Sequence, residues 1–354
     1  MPHRIHQVGD YVKTILKEAQ LRQSELNGDN LNTVYIGGGT PSLLNRNQLK
    51  ELVNGIKALY DFSHVEEFTI EMNPDDVDDN IIETVKELGV NRVSMGVQSF
   101  RDEDLQFIKR RHTAKQAIEA VRAIQRQGVH NISIDLIYGI PGQNIDIWKN
   151  NVKIAISLDV PHISAYSLMY EKGTRLTVMR DIGKLAELSE DDVTAMYDYL
   201  VATLKEKGYV HYEVSNFALP GYCSQHNSNY WNLTPYLGLG VAAHSFDGDV
   251  RRFNAANLKQ YSNTIGEGKV FAEEEHLSVY EKYDEYVMLK LRTAEGVPLT
   301  ELKWRFGEKF YDFFLKKAII MVNNGMLTLT ERHIRIPEDK VMISDGIICD
   351  LLWG

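Results

Sequence analysis

The sequence predicts an α/β fold built on a parallel sheet, for three reasons. Short β-branched apolar runs alternate with longer stretches of helical periodicity, in five successive strand–helix units. Unusual polar and glycine-rich residues follow the ends of these runs. From about residue 274 the pattern changes to closely spaced helices and one hairpin, the mark of a second, smaller unit.

The strands are expected at 33–36 (TVYI), 67–71 (EFTIE), 92–95 (RVSM), 131–137 (NISIDLI) and 162–168 (HISAYSL). Helical patterns lie near 7–26, 47–60, 78–88, 114–127, 145–158 and 190–207. "AKQAIEAVRAIQRQG" repeats apolar residues at three-and-four spacing, and Gly128 falls just past its end. Strand–helix alternation fits an open sheet or a barrel equally, and in both chemistry gathers at the C-terminal strand ends.

Beyond 274, "EEEHLSVYEKYDEYVMLKLRT" reads as a helix, followed by helices at 299–305 and 308–324 and the hairpin "GMLTLTERHIRIPED". Three helices and a hairpin suggest a winged-helix-like α+β domain. Residues 297–354 hold eight Lys/Arg and eight Asp/Glu, so its surface suits packing or partner docking better than DNA. The acidic run Glu273–Glu275 reads as a solvated loop. The expected division is 1–210, 211–273 and 274–354.

Bulk properties narrow the function classes. A net charge of −10 argues against a nucleic-acid partner. No run of 18 apolar residues exists, and "MPHRIHQVGDYVK" lacks the apolar core of a signal peptide, so a cytoplasmic location is expected. Two cysteines, Cys223 and Cys349, exclude a disulfide framework and any site needing three thiolates.

At the strand ends stand Gly37-Gly38-Gly39-Thr40-Pro41, Glu71-Met72-Asn73-Pro74, Gly96-Val97-Gln98, and Asp135 with Tyr138-Gly139-Ile140-Pro141. Each alone is ordinary loop punctuation; four in successive units suggest one shared pocket. Consecutive glycines expose bare amides and carbonyls, suited to an amino-acid zwitterion, a ribose or a phosphate. Neither GxxxxGK[ST] nor GxGxxG is present, which weakens the phosphate reading. Pro74 holds Asn73 extended, and Glu71 beside it is either a turn cap or an acceptor for hydroxyl or ammonium groups. Gln98 and Asp135 could read adenosine edges, and Arg110 in "IKRRH" could pair with a carboxylate, though alone it reads as a surface arginine.

A second constellation is "YEVSNFALPGYCSQHNSNYWN", residues 212–232. His226 among aromatic residues suits ligation of a metal or heme iron, or is a hydrogen-bonded loop histidine. Cys223 and His226 are spaced like two zinc ligands, but no second pair accompanies them.

Taken together and in order, "YIGGGTPSLL", "EMNP", "VSMGVQSF", "IDLIYGIPGQ", "SAYSL", "YEVSNFALPG", "HNSNYW" and "YLGLGVAAHS" resemble the oxygen-independent coproporphyrinogen III oxidase (HemN-type) family of radical S-adenosylmethionine (SAM) proteins. "HNSNYW" and "SNFALPG" favour its heme chaperone, HemW-like branch. The resemblance runs from about residue 8 to the end.

The resemblance implies a partial, open TIM-like (β/α)6 barrel, a smaller C-terminal domain, and SAM bound at the strand C-termini. By motif position Gly38, Gly39 and Thr40 would meet the methionine part. Glu71, Gln98, Arg110 and Asp135 match family positions that bind SAM, one molecule or a second. His226 matches a proposed heme ligand. The implied partners are heme, heme-accepting respiratory proteins and a second copy in a homodimer. The alternative is the oxidase itself, which decarboxylates two propionates of coproporphyrinogen III; a third reading is a scaffold without catalysis.

One departure stands out. Radical SAM proteins hold a [4Fe–4S] cluster on three thiolates of a CxxxCxxC-type motif after the first barrel strand. Neither that motif nor the strand before it is present in this chain. The expectation is a shortened version of a longer protein, with a degenerate relative as the alternative, and no cluster on this chain.

Overall fold

In the computed structural model the described residues are 2–26, 30–39, 41, 44–270 and 273–354, with side chains from residue 8 onward. The expected site residue Thr40 lies outside them. The first half of the chain alternates helix and strand: α1 (Pro2–Leu21), β1 (Thr33–Ile36), α2 (Arg46–Leu59), β2 (Glu67–Met72), α3 (Asp79–Glu87), β3 (Arg92–Gln98), α4 (Asp102–Phe107), α5 (Ala114–Arg126), β4 (Ile132–Tyr138), α6 (Ile145–Ser157) and β5 (His162–Ser167). After α7 (Arg175–Asp181) and α8 (Glu190–Glu206) comes the hairpin β6 (Val210–Glu213) and β7 (Asn216–Ala218).

These strands form one curled half-barrel in the order β1-β2-β3-β4-β5-β7-β6. The first five are parallel and β7 pairs antiparallel with β5. The hairpin and α7 were not legible as elements in the sequence. Side chains alternate across the pleat, and the sequence uses that alternation chemically. Phe68, Ile70 and Met72, Val93, Met95 and Val97, and Ile132, Ile134 and Leu136 join one apolar core with residues of α2, α3, α5, α6 and α8. The opposite face carries Glu67, Thr69 and Glu71, Arg92 and Ser94, Ser133 and Asp135, and His162 and Ser164. The inside of the half-barrel is therefore polar, and its outside is dry.

Helix ends are set locally. Asn45 and Thr113 form capping boxes with Gln48 and Gln116 at the starts of α2 and α5. α1 is fastened through a buried group: Glu18 pairs with Arg22 at 3.0 Å and accepts from the Gly240 amide, Asn254 Nδ2 and Tyr261 hydroxyl at 2.9, 2.7 and 2.6 Å.

The remaining elements are α9 (Gln225–Trp231), β8 (His244–Phe246), β9 (Val250–Phe253), α10 (Leu258–Gly266), β10 (Glu273–His276), α11 (Val279–Leu291), β11 (Val297–Pro298), α12 (Leu299–Asn323), β12 (Thr328–Leu329), β13 (His333–Arg335) and α13 (Ser344–Cys349). α11, α12, α13 and the β11-β13-β12 sheet enclose a second core around Tyr283, Tyr286, Phe310 and Phe314. The helices expected at 299–305 and 308–324 abut at Gly307, whose φ of 80° breaks the run. Two expectations need correction. The helix read from 274 begins at Val279, where Ser278 and Glu281 form a capping box. Glu273–Glu275 is not a loop but part of β10, paired to β9 and held by Arg252–Glu274 at 3.0 Å and Arg251–Glu275 at 3.7 Å.

Candidate functional site

At the C-terminal ends of β1 to β4 lies a cavity of about 180 Å³. Gly39, Pro41, Glu71, Asn73, Ser94, Gly96, Gln98, Arg110 and Asp135 line it. Five residues expected at the site, Gly39, Glu71, Gln98, Arg110 and Asp135, thus face one space. Gly38 joins them by donating its amide to Glu71 Oε2 at 3.1 Å. His226 stands apart, on α9.

Two of the three glycines answer to different constraints. A Cβ on Gly37 would lie 2.3 Å from Tyr35 Cε1 and 2.7 Å from the Glu71 carboxyl, so nothing larger fits. Gly38 has φ +74°, the left-handed region. Gly39 meets neither constraint; a Cβ there would touch nothing within 4 Å.

β3 delivers its residues through an irregularity. The register with β4 shifts between Met95 and Gln98, and Gln98 has φ 68°. Gly96 leaves room for Arg110, whose Nη2 donates to Gly96 O at 2.8 Å and to Asn73 Oδ1 at 2.6 Å. Burial, opposed by Asp75 and Asp135, lowers the Arg110 pKa from its usual value. Asp135 is partly buried on the cavity wall. Desolvation pushes its carboxyl up to about 7, against a hydrogen bond from Ser164, with the Glu71 carboxylate adding to the rise. The walls thus offer a guanidinium, two carboxyl groups, an amide and free backbone, a set able to hold a cationic, hydroxyl-bearing nucleoside and a zwitterion.

His226 is held at both ring nitrogens and by two tyrosine rings. Its Nδ1 lies 3.0 Å from Thr33 Oγ1 and its Nε2 lies 3.0 Å from the Tyr230 hydroxyl. Its ring stacks on Tyr35, centroids 4.7 Å apart and planes 17° off parallel, and meets Tyr230 edge-on at 5.1 Å. Burial, and then the Arg92 cation, favour the neutral ring, while Glu67 opposes them; the net shift of its pKa is downward. Thr33 can accept from Nδ1–H, the tautomer that leaves a lone pair on Nε2. Tyr230 itself is 41% exposed, so the Nε2 edge lies near the surface.

Sequence reading passed over Thr33, Tyr35, Glu67 and Arg92. For Glu67 and Arg92 the sign was present in the period-two alternation of "EFTIEM" and "RVSMGVQ", with polar or glycine residues at every second place. Glu67 accepts from Gln225 N at 2.8 Å, His226 N at 3.0 Å and Ser224 Oγ at 3.3 Å, and so fixes the start of α9. Arg92 lies 4.0 Å from Glu67, and its Nε has no hydrogen-bond partner among the described residues.

An iron–sulfur cluster does not fit this donor set. The chain holds two cysteines, and among the described residues no group of three or more His, Cys, Asp or Glu side chains could hold a metal ion. That includes the Cys223–His226 pair. Among the described residues no helix is long and apolar enough to cross a membrane.

Comparison with known proteins gives a consistent picture. Residues 5–153 match the radical SAM superfamily, and residues 277–339 match the HemN C-terminal domain. Heme chaperone HemW of Lactococcus lactis is 35% identical over 95% of this chain and 88% of that protein. The Bacillus subtilis protein of the same name is 35% identical over 96% and 90%, and that of Escherichia coli 31% over 82% and 76%. Among solved structures, Escherichia coli coproporphyrinogen III oxidase (HemN), a radical SAM enzyme, superposes with a TM-score of 0.84 at 21% identity, over 98% of this chain and 84% of that one. That likeness concerns the fold: the partial barrel with a smaller C-terminal unit.

Proposed function

Because the chain belongs to the HemW family of radical SAM proteins, we propose that it binds heme through His226 and delivers it to acceptor proteins. The observation that supports this reading most is the state of the imidazole. It is neutral, oriented by Thr33 and Tyr35, and presents Nε2 toward a half-exposed tyrosine hydroxyl that an incoming iron would displace. The acceptors are respiratory or membrane-bound heme proteins, the site of action is the cytoplasm, and the working form is a homodimer.

The cavity at the strand ends is the SAM site in this reading. Gly38, Gly39 and Thr40 hold the methionine end, while Glu71, Gln98, Arg110 and Asp135 hold the nucleoside and its charges. SAM, when bound, supplies a sulfonium-bearing nucleoside. The protein's part is to bind and orient it: Arg110 sets a positive charge beside Gly96 O and Asn73, and Asp135 offers a carboxyl that ionises near neutral pH. No step of the proposal runs through a cluster.

The alternative reading, an oxygen-independent coproporphyrinogen III oxidase, rests on the shared fold. "HNSNYW" favours the chaperone. Titration with hemin, followed at the Soret band, tests the choice of ligand. His226→Ala should weaken binding by at least about tenfold, the scale on which damage to a metal's surroundings is felt. Identical curves for the two proteins would remove His226 from the reading.

A further inference from the structure

Arg92, the first residue of β3, lies on the inner face of the half-barrel and is 2% exposed. A guanidinium is a planar fork of N–H donors, and burying it is costly unless an anion and acceptors meet it. Its nearest carboxylate among the described residues, Glu67, stands 4.0 Å away and is engaged elsewhere: the Gln225 and His226 amides and the Ser224 hydroxyl all donate to it. The Arg92 Nε meets no acceptor among the described residues. The other inner carboxyl groups are also engaged, Glu71 by the Tyr35 hydroxyl and the Gly38 amide, Asp135 by Ser164. Buried Arg22 shows what such a group ordinarily has: Glu18, Glu25 and Gly238 O all accept from it. Next on the same face of β3, about 7 Å along the strand, Ser94 lines the strand-end cavity with Glu71 and Asp135. Arg92 therefore sits one step below the cavity wall, between it and the start of α9, and its charge is felt both at Asp135 and at His226.

We propose that Arg92 anchors a carboxylate-binding subsite inside the half-barrel, taking the acid group of a ligand on its forked donors. The inference rests on the functional reading above and deepens it by naming the ligand group that the interior recognises. Both ligands of that reading carry the required chemistry: SAM has the carboxylate of its methionine part, and heme has its propionates. The first reaches Arg92 from the cavity past Ser94, the second from the α9 side past Glu67. A planar guanidinium takes a carboxylate through parallel N–H···O bonds. In an interior shielded from water that pairing separates an acid sharply from its neutral analogue. A water molecule at the same donors would make no such distinction, and this difference is what an experiment can read.

The test compares each acid with its neutral analogue on the full chain, on Arg92→Gln and on Arg92→Lys. Hemin is compared with hemin dimethyl ester at the Soret band, and SAM with decarboxylated SAM by equilibrium dialysis. Each result is a ratio of affinities, acid over analogue, within one protein, so a general change in binding or stability cancels. In the unsubstituted chain one of the two ratios should be about tenfold or more, the worth of a hydrogen bond to a charged group. The arm that shows it identifies the source of the carboxylate. In Arg92→Gln that ratio should fall to near one. Arg92→Lys keeps the interior charge, and so the fold if Arg92→Gln loses it; without the fork it should keep only part of the ratio. A ratio near one in both arms of the unsubstituted chain overturns the inference, gives the guanidinium to water, and leaves the functional reading standing. A ratio unchanged by either substitution also overturns it, because another cation, Arg110 first, then holds the acid. If the unsubstituted chain binds neither hemin nor SAM, the inference and the functional reading fall together.

Discussion

Glu67 Oε1 accepts the backbone N–H of His226 at 3.0 Å, joining positions 159 residues apart. The first residue of β2 thus fixes the first turn of the helix that carries "HNSNYW". A carboxylate suits this task because it takes several donors at once, here two amides and the Ser224 hydroxyl.

Glu67→Ala leaves those amides without an acceptor and Arg92 without its nearby carboxylate. The loss should be about 3–5 kcal/mol, as for breaking a buried charged group. The midpoint of urea unfolding measures it. Glu67→Gln, which keeps the shape and an acceptor oxygen, should lose less. An unchanged midpoint in Glu67→Ala would mean that α9 is held by other contacts.

Glu18 plays a comparable part at the other end of the chain. Glu18→Ala removes the acceptor shared by Gly240, Asn254 and Tyr261 and takes one carboxylate from buried Arg22. A loss of about 3–5 kcal/mol is expected. Hydrogen exchange should rise in residues 238–266 before it rises in β3 and β4. Uniform exchange across the chain would contradict a local fastening.

The titration of Asp135 should be visible in two ways with opposite signs. Its carboxyl is raised from 3.8 to about 7, so the folded state keeps a proton that the unfolded chain releases. Its contribution to stability is complete below the ordinary carboxylate range, falls as pH rises toward 7, and is level above it. A cationic ligand needs the ionised form, so SAM affinity should climb by up to about tenfold per pH unit until neutrality and then flatten. Asp135→Asn should flatten both curves. Glu213, which burial also pushes up to about 7, adds its own stability slope, removed by Glu213→Gln. A SAM affinity independent of pH in the unsubstituted chain would exclude Asp135 from the binding charge.

Gly96→Ala separates binding from folding. The new methyl group would lie 2.9 Å from Arg110 Nη2 and from Gln98 Nε2, both ends of flexible side chains. They can move aside, so the melting temperature should change little. Arg110 would leave its place on Gly96 O and Asn73, and SAM affinity should fall by about tenfold, the worth of one charge-assisted hydrogen bond. Equilibrium dialysis beside a melting curve reads both; a large drop in melting temperature with SAM affinity retained would reverse the assignment.

Anaerobic reconstitution with iron and sulfide should leave this chain without the ~4 iron atoms per monomer of a [4Fe–4S] centre, which takes its protein ligands from cysteine thiolates. Iron analysis and absorbance in the visible range check this. A brown protein with stoichiometric iron would show that Cys223 or Cys349 serves in a way the donor set does not suggest.

The barrel half was legible because its signals are local. The strand of β1 is read at 33–36 and found at Thr33–Ile36, and α5 is read at 114–127 and found at Ala114–Arg126. Hydrophobic period and capping residues decide such elements, and both are written in neighbouring residues. The β6–β7 hairpin escaped notice because its strands are only four and three residues long. β10 escaped because four exposed residues, three of them glutamates, carry no apolar period; it exists through ion pairs with β9. At the site, residues at strand ends were found, since loops punctuate the sequence there. Tyr35 and Glu67 were not, since a polar residue inside a strand acquires its partner only when distant chain, here α9, folds against it, and Arg92 was not, since it meets Glu67 only when β2 and β3 pair.

β1 is the outermost strand of its sheet, paired with β2 and with no strand beyond it among the described residues. Thr33 and Tyr35, which hold the imidazole, and the turn that leads into the glycines all hang from this four-residue rim. Fraying of that rim would slacken both ligand cradles in one motion. Under the proposed function, whatever braces the open flank, be it a further strand or a second polypeptide, would tighten the hold on both ligands together without touching either molecule.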